Sequence, residues 1–525
     1  MSHLKRLAVD AWTLALAAAV IARVTPALAD EPRKVSEPQV MREPAEIVQV
    51  ADAFDDDDPF DLQLSLGYQT SWESSQIHRE TSINQAGLTQ GGFTASNLNV
   101  AEYKHTTSRL LTRADIGVYK DIALVLRMPI ILSDDRQLNG TAGSDGQQSI
   151  ALQGAPGEQL FSLPFKSPTR SGIEYLAVGV DAAIMNQQRD ATKPTWLFGI
   201  EGRFNVSEAM HACNANSKAG QFQCANVSDI NRNGVAGDVT DPNSTPPNQS
   251  LEGNFAGGRK PGVSRGTTGL EIHTYLSRRV KYIEPYGGFR ALLEFQNDSS
   301  DYGAVDLKGS LVNHPPFRGD MIVGMNVIPW EVRDQFQRLT LDFRFTGTYV
   351  SEGRDYSELF DALGSSDAPS LRNPNFAEYQ HNPQCDLTPG VPCNGANGVS
   401  PSVVNPGSQK VYFTGLTDVQ QHGVYTLSTE VTVQAGEYIK FHLGGGYTLT
   451  QGHFITFDQA CNPNFSGDLS KSGPCHAQTG ATNSAYTGSG IPNPNFRRTI
   501  NDPGLRFKVD DGRGLDGWLS ATVMF

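Results

Sequence analysis

The sequence has 525 residues, of which 38% are hydrophobic and 19% charged, and its formal net charge is −14. Such an acidic chain is not expected to bind nucleic acid, because a phosphate backbone requires clustered Lys and Arg. Beyond the N-terminus no segment approaches the roughly 20 apolar residues of a membrane helix, which excludes a bundle of membrane-spanning helices.

The first 29 residues have the features of a secretory signal peptide. Lys5 and Arg6 form a short basic region, and an apolar segment follows at 11–22. The small residues at 27–29 then match a cleavage site. An anchoring helix is the alternative, but the apolar segment is too short to span a bilayer. We therefore expect an exported protein that loses residues 1–29.

Residues 30–59 form a polar stretch with several prolines, and it contains four consecutive aspartates at 55–58. Low hydrophobicity and high charge are typical of a segment without a core of its own. We expect a flexible acidic segment in the periplasm. The acidic run is interpreted as a solvated stretch, with a calcium or partner contact as the alternative.

From residue 60 to the C-terminus the hydrophobic pattern has a period of two. Leu62, Leu64 and Leu66 alternate with polar residues, which predicts strands with one apolar and one polar face. Three strands begin near residues 60, 109 and 122. Nine more are predicted near 172–187, 195–205, 264–278, 282–297, 317–330, 336–352, 410–434, 437–456 and 512–525, which makes about twelve.

The predicted connections between these strands alternate in length. Short ones lie at 120–121, 188–194, 279–281, 331–335 and 435–437. Long ones lie at 73–102, 132–171, 206–263, 298–316, 353–409 and 457–504. Short periplasmic turns and long extracellular loops alternate in this way in transmembrane β-barrels. The sheet must close, because lipid cannot satisfy the polar groups of an open edge.

The last residues, Trp518 to Phe525, alternate apolar and small or polar side chains and end on an aromatic residue. This ending resembles the last strand of bacterial outer-membrane β-barrel proteins, whose terminal Phe serves as an assembly signal. The resemblance covers residues 60–525. It implies a closed antiparallel transmembrane β-barrel in the Gram-negative outer membrane. The implied partners are outer-membrane lipid, lipopolysaccharide and the barrel assembly machinery, with Phe525 as the signal.

Four aromatic residues, Trp196, Tyr282, Trp330 and Tyr438, flank the short turns. Such positions suit an aromatic girdle at the membrane interface. In the predicted registers, however, Trp196 faces lipid whereas Tyr282 and Tyr438 do not.

The six cysteines lie in pairs inside long predicted loops. An even number in an exported protein favours disulfides, and six cysteines allow 15 connectivities. Partners within one loop share a short tether, so this pattern favours local pairing. The expected bridges are Cys213–Cys224, Cys385–Cys393 and Cys461–Cys475. A metal site is the alternative, but it needs His and Cys at finger-like spacing, and His211 and His476 are isolated.

One loop contains a pattern that partly matches a calcium-binding loop. Asp229, Asn231 and Asn233 alternate before a glycine, and Asp238 follows. Oxygen ligands at alternate positions with a turn-forming glycine are what such a loop requires. The closing acid is displaced, since position twelve is Thr240. A Gly- and Asn-rich surface turn is the alternative, and we expect no cofactor other than this possible Ca²⁺.

The inward face of the predicted barrel carries charges of both signs. One interpretation is a salt-bridged interior that supports the wall; the other is a selective constriction made of charged rings. The candidate constriction residues are Arg109, Arg113, Asp115, Glu201, Arg203, Glu271, Arg290, Glu294, Arg338, Asp342, Arg344, Glu430 and Lys440.

We expect an outer-membrane channel or transport protein for small solutes or secreted material. The alternative is a non-conducting binding or structural barrel that serves with partner proteins as a subunit of a cell-envelope machine. An outer-membrane hydrolase is less expected, because the chain has no His-x-Ser pair of the kind such phospholipases use. We therefore predict no catalytic residues.

Overall fold

Twelve antiparallel strands form one closed sheet in the computed structural model. The model describes residues 45–53, 61–84, 93–141, 152–154, 158–215, 223–224, 260–297, 300–302, 311–366, 368–372, 413–462, 476–479, 485–488, 491–493 and 495–525. Among these residues no helix is long and apolar enough to cross a membrane.

Each strand pairs with its neighbours in sequence, and the first strand also pairs with the last. Leu62 lies opposite Ile116 on one side, and Gln63 lies opposite Met524 on the other. The sheet therefore has no open edge. The strands are β1 Leu62–Asn84, β2 Phe93–Tyr119, β3 Ile122–Arg127 continued by Ile130–Gly140, β4 Arg170–Ile173 continued by Leu176–Met185, β5 Thr195–Phe204, β6 Thr267–Ser277, β7 Ile283–Gln296, β8 Arg318–Val332, β9 Gln337–Val350, β10 His422–Gly436, β11 Ile439–Thr450 and β12 Phe507–Met524.

Side chains alternate between the lumen and the outside of the barrel, as the period-two pattern predicts. On β9 the side chains of Phe343 and Phe345 are 47% and 39% exposed, whereas Arg338 and Asp342 are 4% and 8% exposed. The outer surface is apolar and the inner surface is polar. A soluble protein has the opposite arrangement, with apolar side chains inside, so the arrangement here suits a wall that faces lipid.

Several predicted boundaries are wrong. The predicted loop 73–102 is mostly strand, since β1 continues to Asn84 and β2 begins at Phe93. β3 likewise continues to Gly140. β1 has 23 residues, more than twice the roughly 9–11 needed to cross a membrane. We attribute the error to this excess length: beyond the lipid no apolar face is required, so the alternation ends while the hydrogen-bonded ladder goes on.

Two predicted strands are too long. The strand predicted at 410–434 begins only at His422, and the one predicted at 437–456 ends at Thr450.

The aromatic residues of the short turns also differ from their predicted registers: Tyr282 and Tyr438 are 66% and 57% exposed. Both lie in turns, just before β7 and β11, where strand alternation does not apply.

Residues 45–53, which we call the strap, lie inside the barrel at the end with the short turns. Ala45 and Val48 are buried, and they pack with Leu197, Tyr275 and Tyr286 of the wall. This part of the segment that we expected to be flexible is therefore folded against the lumen.

The long connections fold over the other end of the barrel, and we call their described residues the cap. They form three short helices, α1 Phe360–Gly364, α2 Pro369–Arg372 and α3 Arg498–Asn501. Twenty buried apolar residues from the cap and the upper strands form one core. A buried ion pair between Arg170 and Asp361, with its shortest N–O distance 2.6 Å, joins β4 to α1. The Cys213–Cys224 disulfide lies in the cap, as predicted.

Candidate functional site

The strap crosses the lumen at the short-turn end, which is periplasmic in barrels of this class. At one end Glu46 Oε1 lies 3.1 Å from Nζ of Lys440 on β11. Lys440 also donates to Gln49 Oε1 at 3.2 Å, and Gln49 donates to Gln63 on β1 at 3.1 Å. The strap thus reaches from β11 to β1 along the floor of the barrel.

The other end of the strap reaches β2 and the β4–β5 turn. Asp52 Oδ2 lies 3.0 Å from Arg189 Nη2. The carbonyl of Asp52 lies so close to Gly117 that a Cβ at position 117 would be 1.8 Å from the oxygen. Gly117 therefore leaves the space in which the strap backbone rests.

A layer of ion pairs lines the middle of the barrel between β2 and β8. Arg113 pairs with Asp115, and Arg127 pairs with Glu201 at 3.2 Å. Arg203 pairs with both Glu201 and Glu271. The remaining contacts are His273 with Asp181 at 3.0 Å and Arg290 with Asp320 at 2.5 Å.

The opposite part of the wall carries a second hydrogen-bonded group. Tyr286 donates to Asp342 at 2.5 Å and accepts from Arg344 at 2.9 Å. Trp518 Nε1 donates to Glu430 at 2.6 Å. In the ion-pair layer and in this second group, the contacts join residues of one strand or of strands one or two apart. The contacts therefore run along the wall rather than across the lumen.

A polar chamber lies between the ion-pair layer in the middle of the barrel and the cap. It has two lobes of about 290 Å³ and 250 Å³. The residues that line both lobes are Glu73, Tyr103, Arg318, Tyr356, Ser357 and Glu358. The two lobes are therefore adjacent, with walls from β1, β2 and β8 and a roof from the residues that follow β9.

The chamber contains charged groups whose bonding is incomplete. Arg109 Nε and Arg318 Nε are buried atoms without a hydrogen-bond partner among the described residues. Arg109 lies 3.8 Å from Glu174, and Arg318 lies 3.4 Å from Asp355. Asp355 is already held by Arg265 at 2.9 Å. Burial, reinforced by Glu73 and Asp355, raises the pKa of Glu358 to about 7.

Two buried carboxylates lie together in the cap. Asp418 is 2% exposed, and neither of its carboxylate oxygens has a hydrogen-bond donor within the described chain. Burial and the neighbouring Asp458 raise the pKa of Asp418 well above its usual range. Asn493 donates to Asp458 at 2.5 Å. No group of three or more His, Cys, Asp or Glu side chains in the described residues is arranged to hold a metal ion.

The structure places the thirteen predicted lumen charges on inward-facing strand positions. They do not form one ring. Lys440 and Arg338 lie at the floor; Arg109 and Glu294 lie towards the cap. The other nine belong to the ion-pair layer and to the second hydrogen-bonded group, both in the middle of the barrel.

Several predicted sites lie outside the described residues. These are the calcium pattern at Asp229, Asn231, Asn233 and Asp238, and the cysteines Cys385, Cys393 and Cys475. At the C-terminus, Phe525 exchanges two backbone hydrogen bonds with Leu62, of 2.9 Å and 3.1 Å, and its side chain is 64% exposed.

Sequence reasoning missed the strap and the roof of the chamber. The apolar residues Ile47, Val48 and Val50 within a polar segment are a signal that could have indicated the strap. Ser357 and Glu358 had no such signal, since they lie in a long loop and reach the chamber only through the fold.

Comparison with solved structures returns barrels of the same class. An outer membrane channel from Pseudomonas putida F1 is 8% identical with a TM-score of 0.31, and the match covers 88% of this chain and 95% of that chain. A mutant of the TodX monoaromatic hydrocarbon channel is 9% identical with a TM-score of 0.31 and coverage of 93% and 94%. The outer membrane protease OmpT from Escherichia coli is 7% identical with a TM-score of 0.22 and coverage of 89% and 96%.

These similarities are too low to carry an activity or a substrate over to this chain. No family model and no curated protein matches the sequence. The closed twelve-stranded sheet and its apolar outer surface show that the chain is a β-barrel of the outer-membrane class.

Proposed function

We propose that this protein is a gated outer-membrane channel for small polar solutes. The observation that carries the proposal is that the lumen charges pair along the wall. Because the ion pairs run along the wall and do not bridge the lumen, their polar atoms would line the path of a solute. A lumen with charged groups of both signs favours polar solutes over hydrocarbons. A polar solute can replace the water or the hydrogen-bond partner of a charged side chain, whereas a hydrocarbon cannot.

In this proposal the strap is the periplasmic gate. It lies across the path and is held by side-chain contacts near its two ends, Glu46 with Lys440 and Asp52 with Arg189. The strap fully buries one large apolar side chain, Val48, and the small side chains of Ala45, Ala51 and Ala53, while Ile47 and Val50 are half-buried. A segment with such limited burial can leave the lumen at a modest free-energy cost.

A single-channel experiment in planar bilayers tests the proposal. Glu46→Gln removes the carboxylate partner of the buried Lys440 amine, and we expect more frequent or longer openings than in the unmodified mature chain. Glu80→Gln is the matched control, because Glu80 pairs with Arg506 at 2.7 Å at the opposite end of the barrel. Folding of each variant is checked by its heat-modifiable electrophoretic mobility.

A non-conducting structural barrel is the second candidate. It is favoured by the cap, which covers the extracellular end and shares a core of twenty buried apolar residues with the upper strands. If both the unmodified barrel and Glu46→Gln fold but show no conductance above that of bare lipid, this candidate is supported and the channel is refuted.

A further inference from the structure

We propose that the chamber below the cap is a binding site for small carboxylates, held chiefly by Arg318 and Arg109. The inference rests on the proposed function in one respect: the bound carboxylate would be the solute that passes through the lumen. The binding site itself is argued from the chamber alone.

The first argument is that two guanidinium groups in the chamber have unused donors. Arg318 shares Asp355 with Arg265, and Arg265 holds that carboxylate more closely, at 2.9 Å against 3.4 Å. Arg109 is 3.8 Å from Glu174, beyond hydrogen-bond length. The Nε atoms of both arginines have no hydrogen-bond partner within the described chain. A planar fork of N–H donors matches the two oxygens of a carboxylate.

The second argument is that the neutral groups of the chamber can also donate. Ser357 Oγ accepts a hydrogen bond from Thr417 at 3.0 Å, so its own proton is available. Tyr103, whose hydroxyl can donate a hydrogen bond, also lines both lobes. Hydroxyl donors beside guanidinium groups favour an anion, because an anion accepts from all of them at once.

Two further acids of the chamber are engaged by other partners. Glu73 bonds to His105 at 2.9 Å, and Asp134 is held by Arg136 at 2.8 Å and by His105 at 3.1 Å. These carboxylates therefore compete weakly for Arg318 and Arg109. The lobes, of about 290 Å³ and 250 Å³, limit the ligand to a small molecule.

Glu358 makes binding depend on pH. Its pKa of about 7 keeps the side chain largely protonated at pH 6, where it can donate to an anion, whereas at pH 8 its charge repels one. We expect succinate to bind more tightly at pH 6 than at pH 8. Glu358→Gln should reduce this difference, because the amide donates at both pH values. The other ionisable groups that line the two lobes are Glu73, Tyr103, His105, Arg109, Asp134, Arg136, Glu174, Arg265, Arg318, Asp355, Tyr356, His422, His453, Arg513 and Asp516.

Isothermal titration of the purified full-length mature barrel tests the proposal, with succinate, benzoate and tetraethylammonium as probes. Succinate and benzoate should bind and tetraethylammonium should not. Arg318→Gln and Arg109→Gln should each weaken succinate binding about tenfold or more, the usual effect of losing a charged hydrogen bond. Arg318→Lys, which keeps the charge, should lose less. Arg333→Gln, on the periplasmic turn, is the matched control.

The outcomes separate this inference from the channel proposal. Binding of tetraethylammonium equal to that of succinate, no carboxylate binding at all, or equal losses in Arg318→Gln and Arg333→Gln would each overturn the binding site. Conductance without carboxylate binding would refute the site and leave the channel. Carboxylate binding by a barrel that never conducts would refute the channel and leave the site.

Discussion

Gly117→Ala is the most direct perturbation of the strap. A Cβ at this position would lie 1.8 Å from the carbonyl oxygen of Asp52, against the 3.4 Å of ordinary contact. The atoms it meets are backbone, so no side chain can rotate away. A shift that relieves the clash takes Asp52 out of reach of Arg189, which is now 3.0 Å away.

Overpacking of this kind costs about 1–3 kcal/mol, which lowers the ratio of docked to released strap by roughly 5- to 150-fold. We expect a matching rise in open probability in planar bilayers. A second measurement does not depend on conduction: Lys440 is fully buried under the strap. Its amine should react faster with an acylating reagent in Gly117→Ala, as followed by mass spectrometry.

Gly436→Ala is the matched control for this experiment. Gly436 ends β10 at the same end of the barrel, and a Cβ there would meet no atom within 4 Å. If Gly117→Ala and Gly436→Ala gave the same open probability and the same Lys440 reactivity, the strap would not be the floor of the closed barrel.

Three further predictions concern the wall and the cap. Leu341→Arg on the lipid face should destabilise folding into vesicles by about 2–4 kcal/mol in urea titrations. Thr346→Arg on the lumen face should do so far less, and equal losses would contradict the register. Replacing Cys213 and Cys224 by Ser should remove roughly 2–3 kcal/mol from the cap, seen as faster proteolysis of the loops with an unchanged barrel. Because the pKa of Asp418 is raised in the folded cap, its protonated carboxyl group stabilises the cap in acid. This contribution to stability is lost as the pH rises above about 4 and the carboxyl group ionises. Asp418→Asn should therefore make the cap more resistant to protease at pH 8 but not at pH 4, and a loss of resistance at pH 8 would refute the reasoning.

The barrel could be predicted from the sequence because lipid imposes a rule on every strand that crosses it. Each second side chain must be apolar, and residues such as Leu341 and Phe343 obey this rule. The same rule fails where lipid ends. The upper part of β1, from Glu73 to Asn84, is strand without an apolar face, and alternation could not reveal it.

The lumen was harder to predict than the wall. Alternation indicates that Arg109 points inward, but not which acid it meets, because partners on strands two apart depend on the stagger of the sheet. The strap has no periodicity at all, and its position depends on contacts such as Glu46 with Lys440, far apart in the chain. Pairings of this kind follow only from the closed structure.

The strap and the cap differ in how firmly they are held, and this difference decides which of them moves. The cap shares one core of twenty buried apolar residues with the upper strands, and each fully buried large apolar side chain contributes about 1.5–3 kcal/mol. The strap fully buries Val48 and the small side chains of Ala45, Ala51 and Ala53, and it is otherwise held by polar contacts. Releasing the strap is therefore far less costly than opening the cap. Gating at the periplasmic floor, with the cap folded throughout, is the movement that this distribution of buried surface favours.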